Sequence, residues 1–183
     1  DQYLEALDYS PDCLVFHTPH VEGDPSIGWW DRTSVEIGHV LEKYKKACKH
    51  VTIENMPFFD GYFVPLSTPE ELFDFVICHG LNITFDTTHY AQIGIDIIKA
   101  ARKLGSSIRT IHLSDFTADR THVFIGEGEL DLSGFFRVID KDAVNAITLE
   151  CSFNLRNTPF QEMRYNEWVS RIREARTYLE RLL

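Results

Sequence analysis

The sequence predicts a parallel α/β barrel of the (β/α)₈ type, most but not all of it present in this chain. Three observations carry this expectation. Short β-rich apolar runs alternate with longer amphipathic ones, and such alternation needs a parallel sheet, because each crossover packs a helix back onto it. Five polar residues, His17, Glu54, Asp86, His112 and Glu150, each fall at or beside the C-terminal end of a strand run. A closed barrel brings those ends to one face, whereas an open sheet would spread them along a line.

The strand runs are Cys13–His17, Val51–Glu54, Asn82–Asp86, Ile108–Leu113 and Ala146–Cys151, with a sixth expected near Thr121–Ile125. Between the first two, about 33–49 reads as a helix with Val40, Leu41, Tyr44 and Cys48 on one face. Ser67-Thr68-Pro69-Glu70-Glu71 starts another, with Thr as cap, Pro in the first turn and Glu three residues past the cap. That helix runs to about Cys78 and stops at Gly80. A further helix is expected over about 90–104, ending at Gly105, and a short one over Leu132–Ile139. The last covers 163–183, with Trp168, Ile172, Ala175, Leu179 and Leu182 as its stripe. A barrel needs eight strands and typically about 250 residues. The chain opens in what reads as the end of a helix, Gln2–Leu7, so residues 1–183 read as a single partial domain without its first two βα units.

At 183 residues and 44% hydrophobic, the chain suits one filled core. No apolar run approaches the roughly 18 residues of a membrane span, and the N-terminal residues lack a signal-peptide layout. Cys13, Cys48, Cys78 and Cys151 are widely separated and form no C-x-x-C pair, which disfavours a zinc knuckle or disulfide framework and fits a reducing cytoplasm. A net charge of −10 argues against a broad nucleic-acid footprint while leaving cation binding open. His20, His39, His50 and His79 are expected at the surface.

A single carboxylate at a strand end is usually a cap or a surface group. Glu54, Asp86 and Glu150 each close an apolar run where an unpaired charge is costly to desolvate, and His112 stands in the same place on a fourth run. Three carboxylates on one barrel face repel each other unless a cation or proton sits among them. Three hard oxygen donors with one imidazole suit one divalent ion, Mn²⁺, Zn²⁺, Co²⁺ or Mg²⁺, with positions left for substrate oxygens. Gly126-Glu127-Gly128 is not a dinucleotide fingerprint, since no G-x-G-x-x-G follows a strand.

Ile53-Glu54-Asn55-Met56-Pro57, Phe85-Asp86-Thr87-Thr88-His89, Ile111-His112-Leu113-Ser114-Asp115, the run His122–Asp131 and Thr148-Leu149-Glu150 together resemble the xylose isomerase-like TIM-barrel superfamily. The resemblance spans about residues 13–153. It is specific for the superfamily, whose members include sugar isomerases, ketose 3-epimerases and the endonuclease IV repair enzymes, and poor at choosing among them. It implies that Glu54, Asp86, His112 and Glu150 bind the metal and that Glu54 and Glu150 also move protons. Beside these, His89 reads as either a substrate-contacting acid/base or a supporting group, His17 as a substrate contact, and Arg120 and His122, on the loop to Gly126, as contacts to a sugar hydroxyl or phosphate or as solvated loop residues. The endonuclease branch carries extra zinc ligands, which His17, His89 and His122 match. Two departures stand against it: Arg120 replaces an Asp of that branch, and Met56-Pro57-Phe58-Phe59 replaces its Gly-rich stretch.

Two activities therefore follow as expectations. The first is a metal-dependent sugar or polyol isomerase or epimerase, removing a proton α to a carbonyl through an enediolate. The alternative is a zinc phosphodiesterase acting on abasic DNA, with nucleic acid a partner only in that case, or a metal-binding barrel without turnover. No membrane partner is expected, and a homo-oligomer is compatible with either.

Overall fold

The computed structural model describes residues 11–46, 48–151 and 165–183. The helix end expected at Gln2–Leu7 lies outside them, and so does the side chain of Trp168. The chain runs through β1 (Cys13–His17), β2 (Val21–Glu22), α1 (Trp29–Tyr44), β3 (His50–Glu54), β4 (Tyr62–Phe63) and α2 (Pro69–His79). It continues with β5 (Asn82–Asp86), α3 (Thr87–Gln92), α4 (Ile97–Leu104), β6 (Ile108–Leu113), β7 (Asp115–Thr117) and β8 (Arg120–Val123). The last three elements are α5 (Leu132–Val138), β9 (Ala146–Leu149) and α6 (Tyr165–Leu182).

Five strands form one parallel sheet in the order β1-β3-β5-β6-β9. The period-2 alternation of a strand divides its side chains between two layers. Ile53, Ile83, Phe85, Ile111 and Leu113 are buried in the core cluster with helix residues such as Leu72, Val76 and Phe135. The Phe85 ring lies 4.9 Å from that of Phe135 and 5.1 Å from that of Tyr90. The opposite face carries Thr52, Thr84 and Thr110, with Glu54, Asp86 and His112 two residues further along the same strands. The three hydroxyls form a chain, Thr52 to Thr84 and Thr84 to Thr110 each at 2.7 Å. A layer of threonine thus lies directly beneath the layer of titratable groups.

Local chemistry sets the element ends. Thr68 and Glu71 complete a reciprocal capping box at the start of α2, and Gly80 closes that helix with φ of 58°. Helix α1 begins four residues earlier than expected and stops at Tyr44, leaving Cys48 in the turn before β3, where its thiol lies 3.1 Å from the His50 carbonyl. The single helix expected over 90–104 is two. Gly94, at φ 75°, ends the first, and Asp96 caps the second by accepting from the amides of Ile98 and Lys99.

The sixth barrel strand expected near Thr121–Ile125 does not join the sheet. Residues 120–123 instead pair antiparallel with β7 in a hairpin. The Asp115 carboxylate holds the following loop by accepting the amides of Phe116, Gly126, Gly128 and Leu130 at 2.9–3.1 Å. Two expected surface histidines are also half-buried: His79 packs against Phe75 and fills the space where Gly38 lacks a Cβ, and the His50 Nε2 is enclosed. Among the described residues no helix is long and apolar enough to cross a membrane.

Candidate metal centre

The parallel register levels two pairs of polar strand ends and staggers the others by two residues, with Glu54 opposite Thr84 and His112 opposite Thr148. His17 pairs with Glu54, and Asp86 with His112. Glu150 follows β9 directly, its amide donating to the Leu113 carbonyl at 3.0 Å. One donor atom each from Glu54, Asp86, His112 and Glu150 lies within 4.8 Å of all the others. His112 Nδ1 stands between two carboxylates, 3.1 Å from Glu54 Oε2 and 2.7 Å from Glu150 Oε2. Glu54 Oε2 is also 3.1 Å from His17 Nε2, and Glu54 Oε1 is 3.2 Å from His89 Nδ1.

These approaches are close without being hydrogen bonds. Both Glu54 oxygens, Asp86 Oδ2 and His112 Nδ1 are enclosed and have no hydrogen-bond partner among the described residues. Buried polar groups left this way are costly and call for an occupant. Donors bonded to a hard cation at roughly 2.1 Å stand about 3.0 Å apart along an octahedral edge, and the His112–Glu54 and His112–Glu150 spacings of 3.1 and 2.7 Å lie near that figure. The donor set and its geometry therefore fit a divalent ion.

The surrounding groups fix how the donors are aimed. Asn55, fully buried, accepts the Asp86 amide at 2.8 Å and donates to the Asp86 carbonyl at 3.0 Å. Asp86 Oδ1 caps α3 by accepting the His89 amide at 2.7 Å. The Asn55 carbonyl lies 2.9 Å from His89 Nδ1, and since a carbonyl can only accept, His89 carries its proton there. Asp86, His89 and His122 form a second group of three donors within 4.8 Å of one another.

Charge at the centre is already partly offset by protons. Burial alone would lower the His112 pKa, but Glu150 and Glu54 outweigh it and push it up to about 10. Burial alone would raise Glu54, yet the imidazoles of His112 and His89 bring it down to about 2. Glu150 is lowered chiefly by His112, Asp86 is raised by its burial, and His89 is raised by Glu54 and Asp86 against its own burial. The carboxylates recruit positive charge wherever it is available, which is the electrostatic counterpart of the unpartnered atoms.

Of the other sequence-predicted residues, His17 reaches Glu54 but its side chain is 62% exposed. Arg120 sits exposed at the turn of the β7–β8 hairpin, and among the described residues no hydrogen bond or ion pair links its guanidinium to the centre. His122 lies edge-on to His89, ring centres 5.2 Å apart. Sequence reasoning missed Asn55, the threonine layer and Ser114. A repeated signal for the layer was present: Thr52-Ile53-Glu54, Thr84-Phe85-Asp86, Thr110-Ile111-His112 and Thr148-Leu149-Glu150 share one spacing.

A model of the family described as xylose isomerase-like TIM barrel matches residues 3–181. The chain belongs to the xylose isomerase-like TIM barrel family. Solved structures of similar fold include a D-tagatose 3-epimerase-like protein, at 22% identity and a TM-score of 0.65. A xylose isomerase domain protein from Alicyclobacillus acidocaldarius has 16% identity and a TM-score of 0.68. Each is matched over 93% of this chain and 63% of its own, so the chain spans less than two thirds of their length. A D-allulose 3-epimerase from Methylomonas sp. in complex with D-allulose has 15% identity and a TM-score of 0.58, covering 72% of this chain and 46% of that one. No curated protein matches the sequence. This xylose isomerase-like chain carries its four-donor centre on β3, β5, β6 and the end of β9, at the face where such barrels gather their functional groups.

Proposed function

We propose that this chain belongs to a divalent-metal-dependent isomerase or epimerase acting on a small sugar or polyol, with Glu54, Asp86, His112 and Glu150 holding the cation. The observation that carries the proposal is His112 Nδ1 lying between the Glu54 and Glu150 carboxylates, which puts two ionised proton acceptors on either side of one point. When bound, the cation supplies Lewis-acid polarisation of a carbonyl at that point. One glutamate removes the proton on the carbon next to the carbonyl, and the C–H electron pair becomes the C=C of an enediolate while the carbonyl oxygen takes the charge. The other glutamate returns a proton, to the opposite face for an epimer, or to the former carbonyl carbon for an isomer, in which case the proton of the adjacent hydroxyl passes to the charged oxygen as the carbonyl shifts. His89, its tautomer fixed by Asn55, is suited to contact a substrate hydroxyl, and His17 and Arg120 stand at the rim. The structural neighbours described as sugar 3-epimerases support the substrate class.

The test is elemental analysis of the purified protein together with deuterium incorporation from solvent into a panel of ketoses and ketose phosphates. One ion per chain and exchange on at least one ketose are expected. Absence of exchange on every ketose, with the ion present, removes the proposal in favour of a metal-binding barrel without turnover.

One observation keeps a second reading in view. The Asp86–His89–His122 group could hold a further ion, as a multi-zinc phosphodiesterase acting on abasic DNA would require. The net charge of −10 weighs against a nucleic-acid partner. Three zinc ions per chain and cleavage of an abasic duplex would establish that reading.

A further inference from the structure

Glu150 is the least enclosed of the four donors. Its side chain is 46% exposed where that of Glu54 is 1%, and β9 has no neighbour on its outer side among the described residues. Its backbone is nonetheless held at both ends. The amide donates to the Leu113 carbonyl, and the carbonyl lies 3.1 Å from His122 Nδ1. Since that carbonyl can only accept, His122 carries its proton on Nδ1. Ser114 demands the same. Thr88 donates to the Asp115 carbonyl at 3.1 Å, so it takes the Ser114 hydroxyl proton at 2.7 Å, and Ser114 Oγ turns a lone pair to His122 Nδ1 at 3.1 Å.

His122 reaches this position with φ of 52°, a left-handed conformation that is unusual for a residue with a side chain. Such conformations persist where the surroundings enforce them, and they gather at functional sites. Here the β7–β8 hairpin and the four amides held by Asp115 do the enforcing.

We infer that His122 is a positioning residue, whose Nδ1–H holds the Glu150 peptide so that Glu150 Oε2 stays 2.7 Å from His112 Nδ1. The role belongs to Nδ1, and it differs from the substrate contact that sequence alone suggested for this histidine. Its bearing on proton transfer rests on the function proposed above, whereas the hold itself does not.

Two substitutions separate the ring nitrogens. His122→Asn keeps an N–H where Nδ1 stands and tolerates the left-handed backbone. His122→Gln keeps a polar group where Nε2 stands and loses the Nδ1 donor. In the metal-free protein, ¹H–¹⁵N NMR reads the His112 imidazole proton, whose shift reports the Glu150 carboxylate 2.7 Å away. Electron paramagnetic resonance of the free ion reads Mn²⁺ affinity, and the thermal midpoint reports folding. His122→Asn is expected to keep the downfield His112 resonance and parental Mn²⁺ binding. His122→Gln is expected to lose the resonance and bind Mn²⁺ about 10–100-fold more weakly, as when a partner behind a ligand is removed. Retention of both signals in His122→Gln, or their loss in folded His122→Asn, overturns the inference, and the Asn variant decides alone if the Gln variant does not fold. A parent that binds no Mn²⁺ yet shows the expected resonance pattern removes the metal reading and leaves the positioning role standing.

Discussion

Asn55 spends its whole side-chain amide on the peptide groups of Asp86, and it does so with no exposure to solvent. In Asn55→Ala a buried N–H and a buried C=O lose their partners, each at about 1–3 kcal/mol. A loss of about 2–6 kcal/mol is therefore expected, read as a lower urea midpoint, and Mn²⁺ affinity should fall with it because Asp86 is no longer aimed. An unchanged midpoint would show that water replaces the amide without cost. Glu150→Gln should behave in the opposite way. The side chain is half-exposed, so the thermal midpoint moves little, while solvent exchange into an accepted ketose drops by roughly 10²–10⁴-fold with the proton acceptor gone. Exchange at the parental rate would remove Glu150 from the mechanism. The titrating pair also sets a pH optimum for the metal-free protein. Glu54 falls from 4.5 to about 2 on folding, so its contribution is present above pH 4.5 and is lost as the pH drops toward 2. His112 rises from 6.5 to about 10, so its contribution is present below pH 6.5 and is lost as the pH climbs through 10. The metal-free thermal midpoint should peak between those limits, and saturating Mn²⁺ should flatten the alkaline decline, because the cation takes the place of the His112 proton. An alkaline decline that Mn²⁺ leaves untouched would mean that the ion binds elsewhere.

Within the sheet, the strands were legible because each is a short apolar run that ends in a polar residue, and that polar residue is what marks the site. Thr84 tests the layer beneath. Thr84→Val keeps the shape but removes the hydroxyl that joins Thr52 to Thr110; Thr52 still donates to the Leu14 carbonyl at 3.2 Å, so two net hydrogen bonds are lost at about 1–3 kcal/mol together. The unfolding free energy should fall by that amount, read from a lower urea midpoint, while Mn²⁺ affinity stays within a few-fold. A large loss of Mn²⁺ binding would show that the threonines help to aim the donors above them. Helix boundaries were less legible. The run over 90–104 carries one continuous apolar pattern, yet a left-handed Gly94 and the Asp96 cap divide it. Thr121–Ile125 has a strand-like composition, and composition says nothing of whether a strand pairs in the barrel or in a local hairpin. That choice is made by Asp115 gathering four amides from residues up to 15 positions away, a long-range bond set that no local pattern reveals. Asn55 was overlooked for a similar reason, since its partners lie 31 residues on.

For the molecule as a whole, the two outer strands of the sheet are β1 and β9, and neither has a strand partner on its far side among the described residues. Beside β9 an apolar recess of about 360 Å³ is bordered by Phe136, Ile147, Leu179 and their neighbours. Unpaired strand edges flanked by apolar surface invite pairing with another chain. The 183 residues expressed alone should therefore self-associate in a concentration-dependent way, as measured by sedimentation velocity. A monodisperse monomer at high concentration would indicate that residues outside the described set cover both edges. The net charge of −10 opposes association at low salt, so added salt should promote it.

The threonine layer also acts on how the strands find their alignment. Because side chains alternate with a period of two, a one-residue slip of β5 turns Thr84 and Asp86 toward the helices and Phe85 toward the hydroxyls, a costly error. A two-residue slip keeps the apolar face inward and would otherwise pass unnoticed. In that register Asn82 or Asp86 would take the place of Thr84, opposite Glu54 on β3 and Thr110 on β6, and the hydroxyl chain would break. The ladder thus penalises the one misalignment that hydrophobic patterning tolerates, and it does so before any ion reaches the strand ends.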